Sequence, residues 1–171
     1  NIDIEGSINK DKTAVLRVFA KMFYTYLGYY GENLKVAKLE QFIDRKGKTD
    51  EFRRVFEEKN GAAWVDSRDA YAFFEDDIVA TLTEVLGMGE TAASNWFNGT
   101  ETVETSIAQL VSEIKEYVDS KPADFRLLFM VDEVGQYVGS DTDLLINLQS
   151  LVEQIGSACG GKVWVVCTGQ E

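Results

Sequence analysis

The sequence predicts an α/β fold: a short parallel sheet carrying a large helical insertion. Three observations predict it. Phe125 to Val131 is a continuous apolar run broken only by Arg126, as a strand buried on both faces of a parallel sheet reads. Val163 to Cys167 is a second such run, and the segment between them carries a helical stripe, giving a strand–helix–strand unit with a right-handed crossover. Most of the first 120 residues repeat their apolar side chains at helical spacing.

Asn1 to Ile4 reads as a short opening strand. From Lys10 to Tyr30, Val15, Leu16, Phe19, Met22, Phe23 and Tyr26 mark a helix that ends at Gly28 and Gly31. Leu34, Ala37, Leu39, Phe42 and Ile43 mark a second, closed by Gly47. Thr49 is expected to cap a third, with Phe52, Val55 and Phe56 inward. Asp66 or Ser67 is expected to cap the next, whose stripe is Tyr71, Phe74, Ile78, Leu82 and Val85 and whose end is Gly87. A short helix over Thr91–Phe97 and a longer one over Val103–Asp119 complete the block. Past Pro122 the pattern changes to strand, then to a helix over Thr142–Ala158, with Leu144, Leu145, Leu148, Leu151, Val152 and Ile155 inward and Gly156, Gly160 and Gly161 at its end. The expected organisation is a strand region (1–9), a helical insertion (10–121) and a strand–helix–strand region (122–171), within a piece of a longer protein.

Bulk properties exclude several functions. The chain has 171 residues, 29 of them acidic and 17 basic, for a net charge of −12. That balance repels phosphate backbones over most of the surface and argues against a nucleic-acid grip. Histidine is absent, which excludes a His-based triad and an H-E-x-x-H metal site. The two cysteines, Cys159 and Cys167, form no zinc or disulfide signature. No apolar run approaches the roughly 20 residues of a membrane helix, and a cytoplasmic location is expected.

The chemistry-bearing motif runs from Leu127 to Glu133: five apolar residues followed by Asp132-Glu133, the Walker B form. Ligands in open α/β sheets bind at the carboxyl ends of the strands. An aspartate there can hold Mg²⁺ through its water shell. A second carboxylate can orient or deprotonate the water that attacks a γ-phosphate. Asp132 is therefore assigned to magnesium and Glu133 to the attacking water. An ordinary strand followed by an acidic turn is the alternative, but Val134-Gly135-Gln136-Tyr137-Val138-Gly139 lets the chain leave the sheet close to a ligand. The second strand ends in Cys167-Thr168-Gly169-Gln170, where Thr168 and Gln170 are candidate sensors of the γ-phosphate or the water.

Three other features read as structural. Gly47-Lys48-Thr49 matches the end of a Walker A loop, yet the glycine required five residues earlier is Phe42 and the preceding segment is helical. Glu75, Asp76 and Asp77 read as a solvated helix face. Tyr24, Tyr26, Tyr29 and Tyr30 read as packing groups, since little positive charge accompanies them.

Leu128 to Tyr137, Leu144 to Cys159 and Gly161 to Gln170 together resemble the large P-loop ATPase of bacteriophage-exclusion (BREX) defence systems. Asn1 to Ile4 resembles that family's second strand, and the segments around Asp44–Gly47 and Asp69–Phe74 are also similar. The resemblance implies a P-loop NTPase of the additional-glutamate class, with Asp132 as the Walker B aspartate, Glu133 as the catalytic glutamate, and ATP and Mg²⁺ as cofactors of the complete protein. It implies a Walker A loop upstream, so the fragment alone is expected not to hydrolyse ATP. It implies other phage-defence proteins as partners. Three parallel strands are expected, with the Walker B strand central and one edge exposed, a liability for homo-oligomeric association. The rival readings are an interaction scaffold with a vestigial nucleotide fold and a metal-dependent nuclease or phosphatase, which would need a second acidic cluster beside Asp132.

Overall fold

The computed structural model describes residues 13–98, 105–132, 134, 138 and 141–169. The described chain is mostly helical, with one two-stranded parallel sheet. Its contacts divide it into two compact units: residues 1–23 with 105–171, and residues 24–104. The expected opening strand, Asn1 to Ile4, lies outside the described residues.

The sheet unit contains most of α1 (Ala14–Tyr26), α7 (Ile107–Asp119), β1 (Leu127–Val131), α8 (Thr142–Cys159) and β2 (Val163–Cys167). β1 and β2 pair in parallel, from Leu127 opposite Val163 to Val131 opposite Cys167. The pairing continues past both ends: the Leu127 amide donates to Lys162 O (2.9 Å), the Thr168 amide to Val131 O (3.0 Å) and the Val134 amide to Thr168 O (3.1 Å). Leu127, Phe129 and Val131 are buried, and the Phe19 ring of α1 lies 5.3 Å from that of Phe129. Leu110, Ile114 and Val118 of α7 and Leu144, Leu151 and Ile155 of α8 complete the core as these helices pack on one another.

The expectation of a strand buried on both faces is corrected: β1 alternates buried and exposed, with Leu128 and Met130 about half exposed. A run that is apolar at every position does not say which side is covered, and the described helices cover only one. Leu145 is likewise exposed, one position off the buried stripe of α8.

The caps follow local chemistry. Ser106 and Gln109 form a capping box at the start of α7, and Asp141 accepts from the Asp143 and Leu144 amides at the start of α8. Gly160 closes α8 at φ 55°, a left-handed conformation that favours glycine.

The helical unit contains α2 (Leu34–Arg45), α3 (Thr49–Asn60), α4 (Trp64–Ser67), a 3-10 segment (Arg68–Phe74), α5 (Glu75–Leu86) and α6 (Glu90–Asn98). Its core gathers Leu39, Ile43, Phe52, Phe56, Trp64, Ile78 and Leu82. Phe52 and Phe56 both meet Trp64 edge-on, at 5.3 and 5.1 Å between ring centres, an arrangement favoured by the ring quadrupole. Two expected caps are corrected. Thr49 is the first helical residue of α3 and donates to Asp44 (3.1 Å) instead of capping. Neither Asp66 nor Ser67 opens the helix that follows: Ser67 donates back to Ala63 O (3.0 Å), a 3-10 segment intervenes, and α5 starts at Glu75. Acidic Glu75, Asp76 and Asp77 fill its first turn, where the helix dipole favours negative charge.

Candidate functional site

The register that aligns β1 with β2 brings the residues following them together. Asp132 succeeds Val131, Thr168 succeeds Cys167, and the Thr168 hydroxyl donates to Asp132 Oδ1. Both side chains are exposed. The backbone bonds on either side, Thr168 N–H to Val131 O and Val134 N–H to Thr168 O, fix the two residues against each other. The chain beyond Asp132 is tied down by Val134 and Val138, which line a small apolar gap with Val15, Val18 and Phe19 of α1 and Leu148 of α8. Val138 is buried. A carboxylate and a hydroxyl are thus held at the carboxyl end of a parallel sheet by residues whose own positions are set by core packing.

The donor set is hard oxygen, which suits magnesium. That ion takes one or two carboxylates and keeps several waters, and an exposed Asp132 leaves room for that shell. Among the described residues, no group of three or more acidic or cysteine side chains is arranged to hold a metal on its own. Of the sequence-predicted site residues, Asp132 and Thr168 are brought together; Glu133 and Gln170 lie outside the described residues.

The Gly47-Lys48-Thr49 segment has no cradle for phosphate. It follows α2, not a strand, and Gly47 turns the chain at φ 66°. Lys48 pairs with Glu51 at 2.5 Å, and Thr49 faces the Asp44 carboxylate.

Sequence reasoning missed one polar cluster. Glu40 of α2 is buried, and its carboxylate accepts from the Tyr30 amide (2.5 Å), the Trp64 indole (2.7 Å) and Arg68 (2.9 Å). Arg68 also stacks over the Tyr30 ring at 5.1 Å. Beside this cluster lies a cavity of about 180 Å³ lined by Tyr29, Glu40, Asp44, Thr49, Arg53 and Trp64, among others. The Tyr29 hydroxyl donates to Asp44 (2.8 Å), and burial followed by that carboxylate pushes the Tyr29 pKa above its ordinary value. The signal was present in the sequence: Glu40 falls on the same helical stripe as Val36, Leu39 and Ile43, where a charge demands a partner.

No protein-family model matches the chain, and no solved structure matches it.

Proposed function

We propose that this chain supplies part of the active site of an ATPase that acts in bacterial defence against phage, with Asp132 holding hydrated Mg²⁺ and Thr168 acting as a sensor beside it. The observation that carries the reading is the hydrogen bond from Thr168 to Asp132 across the ends of two adjacent parallel strands. In that position the Thr168 hydroxyl orients the carboxylate and can exchange its partner for a phosphate oxygen or a water. Bound magnesium would neutralise phosphate charge and template the nucleotide. Glu133, next in the chain, is assigned to the attacking water on sequence grounds. The phosphate-binding loop would come from upstream in a longer form of the protein, so this chain alone is expected to be inactive.

A second reading keeps the interaction scaffold. The helical unit has its own aromatic core, which suits a binding module whose attached nucleotide fold is vestigial.

The discriminating experiment measures Mg-ATP turnover by this chain and by a form extended on both sides, with Asp132→Asn in each. The ATPase reading expects no turnover by the chain, turnover by the extended form, and loss of at least about a hundredfold on Asp132→Asn. A folded, extended form that neither binds nor hydrolyses Mg-ATP would favour the scaffold.

A further inference from the structure

The cavity beside Glu40 lies wholly within the helical unit and has no part in the proposed ATPase site. Its volume is about 180 Å³. A single water needs only about 10–15 Å³ and drug-sized ligands fill about 300–1,000 Å³, so the space suits a molecule of amino-acid size. Two helices supply its polar wall. Glu40 and Asp44 are one turn apart on α2, and Thr49 and Arg53 are one turn apart on α3, so each pair shares a helix face. The floor is apolar: Ile43, Phe52 and Trp64 line it and are buried.

The charges of the lining are not equally satisfied. Glu40 is answered by Arg68 as well as by the Tyr30 amide and the Trp64 indole. Asp44 meets only neutral donors: the Tyr29 hydroxyl on Oδ2 (2.8 Å) and the Thr49 hydroxyl on Oδ1 (3.1 Å). An ionised carboxylate has about four lone-pair sites, so Asp44 keeps room for a cationic donor. Burial and the Asp44 carboxylate raise the Tyr29 pKa, which keeps that hydroxyl protonated and donating. Arg53 lines the same cavity, and among the described residues no hydrogen bond or ion pair engages its guanidinium. Asp44 and Arg53 are thus opposite charges on one cavity that do not pair with each other.

We propose that this cavity binds a free α-amino acid with an aliphatic side chain, its ammonium on Asp44, its carboxylate on Arg53 and its side chain against Ile43, Phe52 and Trp64. The mixed signs of the lining select a zwitterion. A ligand that is only a cation would be repelled by Arg53, and one that is only an anion by Asp44 and Glu40. A guanidinium takes a carboxylate bidentately, and an ammonium on a carboxylate is likewise a charge-assisted contact. The apolar floor favours an aliphatic side chain, because a polar one would lose its hydration there without a partner. A cavity that joins apolar walls to a few convergent polar groups, one of them with a shifted pKa, is the usual form of a small-molecule site. Asp132 and Thr168 belong to the other unit, so the inference stands whether or not the chain serves an ATPase.

The test is isothermal titration calorimetry of the full chain with three probes: leucine, 3-methylbutylamine, which lacks the carboxylate, and 4-methylpentanoate, which lacks the ammonium. The expected result is saturable one-site binding of leucine at millimolar concentration or below, with each analogue at least about tenfold weaker for the loss of one charge-assisted contact. Arg53→Gln should weaken leucine about tenfold and leave the amine unchanged; Asp44→Asn should weaken leucine about tenfold and leave the acid unchanged. Both positions are exposed, and circular dichroism checks that each variant is folded. No saturable heat with leucine up to about 10 mM would overturn the proposal. So would an analogue that binds as tightly as leucine, because a single charge would then account for recognition, or leucine binding that neither variant weakens, because the ligand would then sit elsewhere.

Discussion

Glu40 offers the sharpest test of the helical unit. Its side chain is 9% exposed and that of Arg68 is 21% exposed, so the pair is largely removed from water. Replacing Glu40 with alanine strands three donors at once: the Tyr30 amide, the Trp64 indole and the Arg68 guanidinium. Each hydrogen bond to a charged acceptor contributes about 1.5–3 kcal/mol, and the three are not additive. Breaking a buried pair by removing one partner costs about 3–5 kcal/mol. Because Arg68 keeps a fifth of its side chain in solvent and the Tyr30 ring beneath it, the expected loss for Glu40→Ala is at the lower end, about 3 kcal/mol. Glu40→Gln keeps an acceptor for Trp64 and Arg68 but sets an amide N–H₂ against the Tyr30 donor, and should cost about 1–2 kcal/mol. Urea unfolding followed by tryptophan emission reads this directly, since Trp64 is buried in the affected core. Because the chain divides into two compact units, the transition is compared with one followed by circular dichroism as a test of two-state behaviour. A loss below about 1 kcal/mol for Glu40→Ala, or no difference between the two variants, would refute the argument that this carboxylate organises the unit.

Tyr29 and the cysteines give two further tests. Burial and the adjacent Asp44 carboxylate raise the Tyr29 pKa above 10.0; a raised folded-state value means that its contribution to stability is complete below pH 10.0 and is lost as pH rises through the folded value. Alkaline titration of tyrosinate absorbance should include a late-ionising group that Tyr29→Phe removes, and a titration unchanged by that variant would contradict the contact. Cys159 is buried and Cys167 exposed, so a bulky thiol reagent should modify Cys167 first in the folded chain; mass spectrometry of digested peptides showing equal labelling would contradict the packing of α8.

Much of the architecture was legible in the sequence because it rests on strong local signals. Val163–Cys167 forms a strand as expected, although only Val163 of it is buried where a buried strand was expected, the βαβ pairing is parallel, and Gly87 and Gly160 end helices where they were expected to. Caps were less legible, because a cap depends on which tertiary partner competes for the side chain. Thr49 and Ser67 both spend their hydroxyls elsewhere, on Asp44 and on Ala63 O. Burial on the second face of β1 was not legible at all: Leu128 and Met130 are as apolar as Leu127 and Phe129, and only the placement of helices distinguishes them. At the site, the sequence sets Asp132 and Thr168 at the ends of two strands, but their adjacency follows from the strand register, which two runs apolar at every position do not fix. Glu40 was overlooked because charges on helices usually face water; its place on an apolar stripe was the sign that this one does not.

Glu133→Gln in the extended protein tests the central claim most directly, with nucleotide binding and turnover measured on the same sample. The account predicts that Mg-ATP still binds, because Asp132 and Thr168 are untouched, while turnover falls by at least about a hundredfold because the attacking water loses its base. Turnover by Glu133→Gln at the rate of the unaltered protein would contradict the assignment of this strand end as a catalytic centre.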